Sequence, residues 1–146
     1  MSSKPDTLDR RLAILSQFRC QEFLDQIAGL DDTITAKLEE KLFLDGQLTA
    51  AKSARAETET EVKKIAAFTG KNAEERRANQ ETALATDPDV RLKIHQEADV
   101  AHQVALLTNE ITGLQRRTRR LYATVETRAA ALHFLSAPVT MTETPA

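Results

Sequence analysis

The chain has no tryptophan, a single tyrosine and only five phenylalanines. Proteins that grip single-stranded nucleic acid commonly stack bases on aromatic side chains, so this scarcity counts against strong autonomous binding of a single strand. Four glycines and four prolines leave too few turn sites for an architecture of many short strands. β-branched residues are scattered, and no stretch reads as a strand. Cys20 is the only cysteine, which rules out an intrachain disulfide. Its neighbours Leu15, Phe18, Phe23 and Leu24 make it a small buried apolar residue rather than a reactive thiol, for which Arg19 alone is thin activation.

Long apolar runs are missing as well. No stretch approaches the ~20 apolar residues of a membrane span, and "MSSKPDTLDRR" lacks the apolar core of a signal peptide. The expectation is a chain without membrane contact, in the cytoplasm of a cell or of an infected host. No charge dominates: 20 Lys and Arg stand against 22 Asp and Glu. A sequence-independent coat for DNA is usually more basic, so any surface for nucleic acid must be a local patch. No Ser/His/Asp set, paired catalytic carboxylates or glycine-rich loop can be assembled. "TGKN" is not a P-loop, because the earlier glycine and the Ser/Thr after Lys71 are missing. An enzyme is not expected, nor a cofactor, nor a small-molecule substrate.

What is present is the material of long helices: Ala, Leu, Glu, Gln, Arg and Lys. The 146 residues give room for one domain. The expected plan is a loose tail over 1–6, one all-α domain over 7–135 and a disordered Pro/Thr-rich tail over 136–146. Helices are expected at about 7–28, 32–68, 73–85 and 89–135. Leu8, Leu12, Leu15, Phe18, Phe23, Leu24 and Ile27 mark the first. Gly29 can end it and Asp31 or Asp32 can cap another. Ile27, Leu30 and Ile34 keep helical spacing straight through, so one continuous helix fits equally well. Ile34, Leu38, Leu42, Leu44, Leu48, Ala51, Val62 and Ile65 continue the pattern, thinning between Ala50 and Glu61. Gly70 sits where a helix end favours a left-handed residue. Asn72 can cap the next helix, with Glu75 in a capping-box position. Asp87 can cap the last, with Pro88 at its first position.

That last helix carries an alternating four-three spacing: Val100, Val104, Leu107, Ile111, Leu114, Thr118, Leu121, Val125, Arg128, Leu132 and Leu135. Such a spacing, held over many turns, is a coiled-coil seam. Ile94, Ala98, Ala101 and Ala105 widen it near the start. A helix of this length cannot bury its own seam. The expected solution is an antiparallel hairpin of the 32–68 and 89–135 helices with a short helix at the turn. Leftover apolar surface favours a homo-oligomer.

Two basic clusters stand out. "GLQRRTRRLY" holds Arg116, Arg117, Arg119 and Arg120. On a helical wheel Arg116, Arg119 and Arg120 point away from the seam and Arg117 flanks it. They are either a grip on phosphates or a solvated face. A turn between Phe68 and Asp89 would put them beside Lys37 to Lys41, where Arg117 could pair with Glu39 or Glu40. The second cluster is Lys63, Lys64, Lys71, Arg76 and Arg77, diluted by Glu74 and Glu75. His95, Asp99 and His102 share one helix face. The outer two lie about 10 Å apart along the axis, so a metal would need a second chain, and a solvated or interface face is the expectation. His133 reads as peripheral packing.

"TGKNAEERRA", between a long Ala/Glu/Lys helix and a helix rich in Leu and Arg, resembles a group of small phage-encoded helical proteins with a Gly-Lys-Asn-Ala-Glu-Glu-Arg turn. Such proteins are described as accessory to DNA recombination or replication. The build also resembles the phage recombination mediators, small helical oligomers that load a recombinase onto coated single-stranded DNA. The resemblance implies single-stranded DNA and recombination or replication proteins as partners. It implies Lys71, Arg76 and Arg77, with Arg116, Arg117, Arg119 and Arg120, as the residues that meet DNA. The alternative is a structural or scaffolding coiled-coil assembly that touches no nucleic acid.

Overall fold

The computed structural model describes residues 5–136, without the side chains of 5–9, 11, 12, 14–16, 18, 135 and 136. Both expected tails therefore lie largely outside the described residues, as do the side chains of Leu8, Leu12, Leu15, Phe18 and Leu135. Three α-helices make up the described chain: α1 (Pro5–Ala67), α2 (Ala73–Thr86) and α3 (Pro88–Ser136). No strand occurs among the described residues.

α1 corrects the expectation of separate helices over 7–28 and 32–68. No proline interrupts it after Pro5, and Gly29 does not end it. Among the described residues no glycine has a positive φ. Asp31 and Asp32 are exposed mid-helix residues, not caps. The unbroken spacing of Ile27, Leu30 and Ile34 prevails, because all three turn inward and a break would undo that stripe. Threonines sit inside the helices without breaking them. Thr33, Thr35, Thr49, Thr58 and Thr60 each donate the side-chain hydroxyl to the carbonyl four residues earlier, which removes the competition a free hydroxyl would offer.

The chain divides into two compact units, Met1–Thr35 with Thr112–Ala146, and Ala36–Ile111. In the first, α1 turns Cys20, Phe23, Ile27, Leu30 and Ile34 inward, and α3 answers with Leu114, Thr118, Leu121, Val125, Arg128 and Leu132. Ile27, Ile34 and Thr118 are buried. Thr118 satisfies its hydroxyl on the Leu114 carbonyl at 3.0 Å. Arg128 lays its guanidinium over the Phe23 ring, 4.7 Å from the centroid. A polar residue in the seam is thus explained by packing, since a guanidinium on an aromatic face keeps both its charge and its contact.

In the second unit α3 buries Val90, Leu107 and Ile111, and α1 buries Ala66. Val100, Val104, Leu44, Leu48 and Val62 are half-buried between them. The stretch from Lys37 to Glu59 departs from the expected stripe. Leu38, Leu42 and Ile65 were expected inward and are 46%, 75% and 72% exposed. Lys37, Lys41, Arg55 and Thr58 share the inward side with Leu44, Leu48 and Ala51. Two ion pairs hold the passing helices. Lys37 meets Glu110 at 2.7 Å, and Arg55 meets Glu97 at 3.2 Å while also holding Glu59 at 2.8 Å.

α2 begins and ends on side-chain caps. Asn72 Oδ1 accepts from the Glu75 N–H at 2.8 Å. The Glu75 carboxylate reaches one residue further back than a capping box requires and accepts from the Lys71 N–H at 2.8 Å. At the other end Arg91 donates from Nε and Nη2 to the Ala85 carbonyl, at 3.1 and 2.9 Å. Asp87 Oδ1 accepts from the N–H groups of Asp89 and Val90 and so opens α3. Gly70 does not adopt the left-handed conformation expected of it. It is required for space: a Cβ there would lie 2.7 Å from both the backbone nitrogen and Cγ of Arg76. α2 then lies against the end of α1, where Gln80 donates to the Lys63 carbonyl at 3.2 Å.

Candidate nucleic-acid interface

The first basic cluster lies in the unit that contains the end of α3. Arg116, Arg117, Arg119 and Arg120 are all exposed. None forms an ion pair among the described residues. Successive helical residues are ~100° apart, and the inward row here is Leu114, Thr118 and Leu121. One row on the side away from it reads Gly113, Arg116, Arg120, Ala123 and Thr127, with Gly113 nearest the seam. Arg119 and Arg117 flank it on either side. Each guanidinium offers five N–H donors in a planar fork suited to phosphate or carboxylate oxygens. Gly113 has no atom within 4 Å of where a Cβ would stand, so the backbone beside Arg116 and Arg117 lies open.

Glu39 and Glu40, the partners expected for Arg117, belong to the other unit, and Lys37, expected beside Arg120, bonds Glu110. The cause lies in α2. Val62, Thr86 and Asp87 line one groove, so α3 starts level with Val62 and α1 runs on past it. The extra turn of α1 serves as the platform for α2. Within this unit the partners are shifted accordingly: Lys37 meets Glu110 and Arg55 meets Glu97.

The second cluster lies in the other unit. Lys63, Lys64, Lys71, Arg76 and Arg77 are exposed. Arg76 is tied through its backbone, donating to the Asn72 carbonyl at 3.1 Å and packed under Gly70. Glu74 and Glu75 stand in the first turn of α2, where they complement the positive helix end. The cluster is thus electrically mixed, whereas the stretch from Arg116 to Arg120 contains no carboxylate at all.

The groove beneath α2 has a volume of about 490 Å³ and is lined by Val62, Ile65, Ala66, Thr69, Asn79 and Ala83, among others. Its walls combine the aliphatic Val62, Ile65, Ala66 and Ala83 with Thr69, Asn79, Thr82, Thr86 and Asp87. His95, Asp99 and His102 are exposed, and no set of three metal-ligating side chains comes together among the described residues. Cys20 is half-buried and free. No helix among the described residues is long and apolar enough to cross a membrane.

Three basic residues have structural roles that the sequence did not disclose: Arg55 between two glutamates, Arg91 on a helix end and Arg128 on an aromatic ring. The spacing of Arg55 to Glu59, four residues apart, was the one visible signal. Comparison of the chain with protein-family models, curated proteins and solved structures gives no match.

Proposed function

We propose that the protein is a non-enzymatic accessory of phage DNA recombination or replication, similar to a recombination mediator. In this reading α1 and α3 form an antiparallel hairpin, several copies associate, and the arginine row of α3 holds the backbone of single-stranded DNA. One observation carries the reading: Arg116, Arg117, Arg119 and Arg120 are exposed and unpaired among the described residues. Four adjacent unpaired guanidiniums repel one another, and a polyanion relieves that repulsion while releasing its own counterions. Lys71, Arg76 and Arg77 serve as a secondary contact. With a single half-exposed tyrosine, Tyr122 (46%), beside the arginines, binding is electrostatic and sequence-tolerant.

The test replaces Arg116, Arg119 and Arg120 together by Ser. Helicity is expected to stay at the wild-type level, since all three side chains are exposed. Affinity for a labelled single strand is expected to collapse. Wild-type affinity in the triple variant would remove the arginines from the mechanism. The second reading, a structural coiled-coil assembly without nucleic acid, is favoured by the exposed apolar residues Leu42 and Phe43. It predicts that the triple variant changes assembly or stability alone.

A further inference from the structure

Between Lys37 and Gly46, α1 carries apolar residues on both sides. Its inward positions hold Lys37 and Lys41 beside Leu44, all half-buried. Its outward positions hold Leu42 and Phe43, 75% and 67% exposed. On the helical wheel these two straddle Glu39 and Gly46, and Gly46 has nothing within 4 Å of its Cβ position. Glu39 forms no ion pair among the described residues. The feature is a protruding apolar pair with a carboxylate one turn before it and a gap one turn after it. Large adjacent apolar side chains left in water mark a contact surface.

The charge of this knob selects what covers it. A partner must present cations beside a surface low enough to admit Phe43. The outward row of α3 in the other unit has that chemistry: Gly113, Arg116, Arg120 and Ala123, two unpaired guanidiniums between two small residues. Gly113 weakens its helix, and among the described residues no neighbouring side chain comes within 4 Å of its Cβ position. We propose that the Glu39–Phe43 knob of one copy docks on the Gly113–Ala123 row of a second copy. The Glu39 carboxylate lies between Arg116 and Arg120, and Leu42 and Phe43 cover the small residues beside them.

This contact uses the same guanidiniums that the proposed function gives to phosphates. If that function holds, assembly and single-strand binding compete, and a polyanion loosens the contact between copies. The docking itself does not depend on that function.

The test is sedimentation velocity of the full chain over a concentration series, with circular dichroism to check folding. Wild-type protein is expected to self-associate. Phe43→Ser weakens association by about tenfold or more, as expected for an apolar anchor in an interface, with unchanged helicity. Glu39→Arg alone, and Arg116→Glu with Arg120→Glu alone, are each expected to lose association, because like charges then face each other. Mixing these two charge-reversed proteins restores a complex, since each supplies the sign the other has lost. A wild-type chain that stays monomeric overturns the proposal, as does association indifferent to Phe43 or a mixture that fails to recover. Loss of DNA binding by the arginine variant with assembly intact also overturns it, while leaving the proposed function standing. Failure of DNA binding in a wild-type protein that passes the mixing test overturns only the function.

Discussion

Gly70 and Gly113 show how differently two glycines can matter. A side chain at Gly70 would press on the backbone of Arg76, and backbone cannot swing aside as a flexible side chain does. Gly70→Ala is expected to destabilise the fold by about 1–3 kcal/mol, in line with overpacking, read as a lower thermal midpoint. Gly113→Ala meets open space and is expected to stabilise the helix by about 1 kcal/mol, the ordinary difference between the two residues. Opposite shifts of the midpoint in the two variants check the assignment. Asn72 is a third case: its side chain caps α2, and Asn72→Ala is expected to cost about 1 kcal/mol, detected by urea denaturation. The capping residues were legible from sequence because caps are local chemistry. The role of Gly70 was only half legible. Its position at a helix end was plain, but its close approach to Arg76 depends on where α2 starts.

At the scale of the elements, the last two helices could be read almost to the residue. The alternating spacing of α3 is one feature repeated over many turns, so single exceptions such as Thr118 and Arg128 do not obscure it. α1 was less legible. Its apolar residues from Leu38 to Ile65 divide between the two sides, with Leu44, Leu48 and Val62 inward and Leu38, Leu42 and Ile65 outward, because Lys37, Lys41 and Arg55 share the inward side with aliphatic stems that cover apolar surface. A pattern that counts charge as outward misplaces those three. This difference predicts unequal sensitivity. Leu107→Ala, at a position 6% exposed, is expected to cost about 2–4 kcal/mol. Leu42→Ala, 75% exposed, is expected to leave the stability of the single chain nearly unchanged. Chemical denaturation of both variants at low protein concentration decides between them.

The ion pairs of the second unit carry a pH signature at the same scale. The hydrogen bond from Lys37 to Glu110 raises the lysine pKa above its ordinary 10.5. A cation with a raised pKa stabilises the fold fully below its unfolded value and loses that contribution as pH climbs through the folded value. The thermal midpoint is therefore expected to show no change from Lys37 between neutrality and mildly alkaline pH, and to fall only above the ordinary lysine range. Lys37→Met is expected to remove that alkaline step.

For the whole molecule, what sequence could not supply was register. The arginines were visible, and so were the glutamates expected to neutralise them. Within the Ala36–Ile111 unit, which charges meet depends on how α2 packs on the end of α1, through contacts such as Gln80 with the Lys63 carbonyl. No periodicity encodes that packing. In the other unit Arg116, Arg117, Arg119 and Arg120 form no ion pair among the described residues.

The central claim is that this arginine row holds a nucleic-acid backbone, and the most direct measurement is fluorescence anisotropy of labelled single- and double-stranded DNA titrated with the protein at several salt concentrations. The account predicts saturable binding that favours the single strand. On a logarithmic plot the affinity should fall with a slope of roughly −2 to −3 per protomer, about 0.7 for each of three to four phosphates neutralised. No binding even at low salt would contradict it, and the row would then be a surface for protein alone.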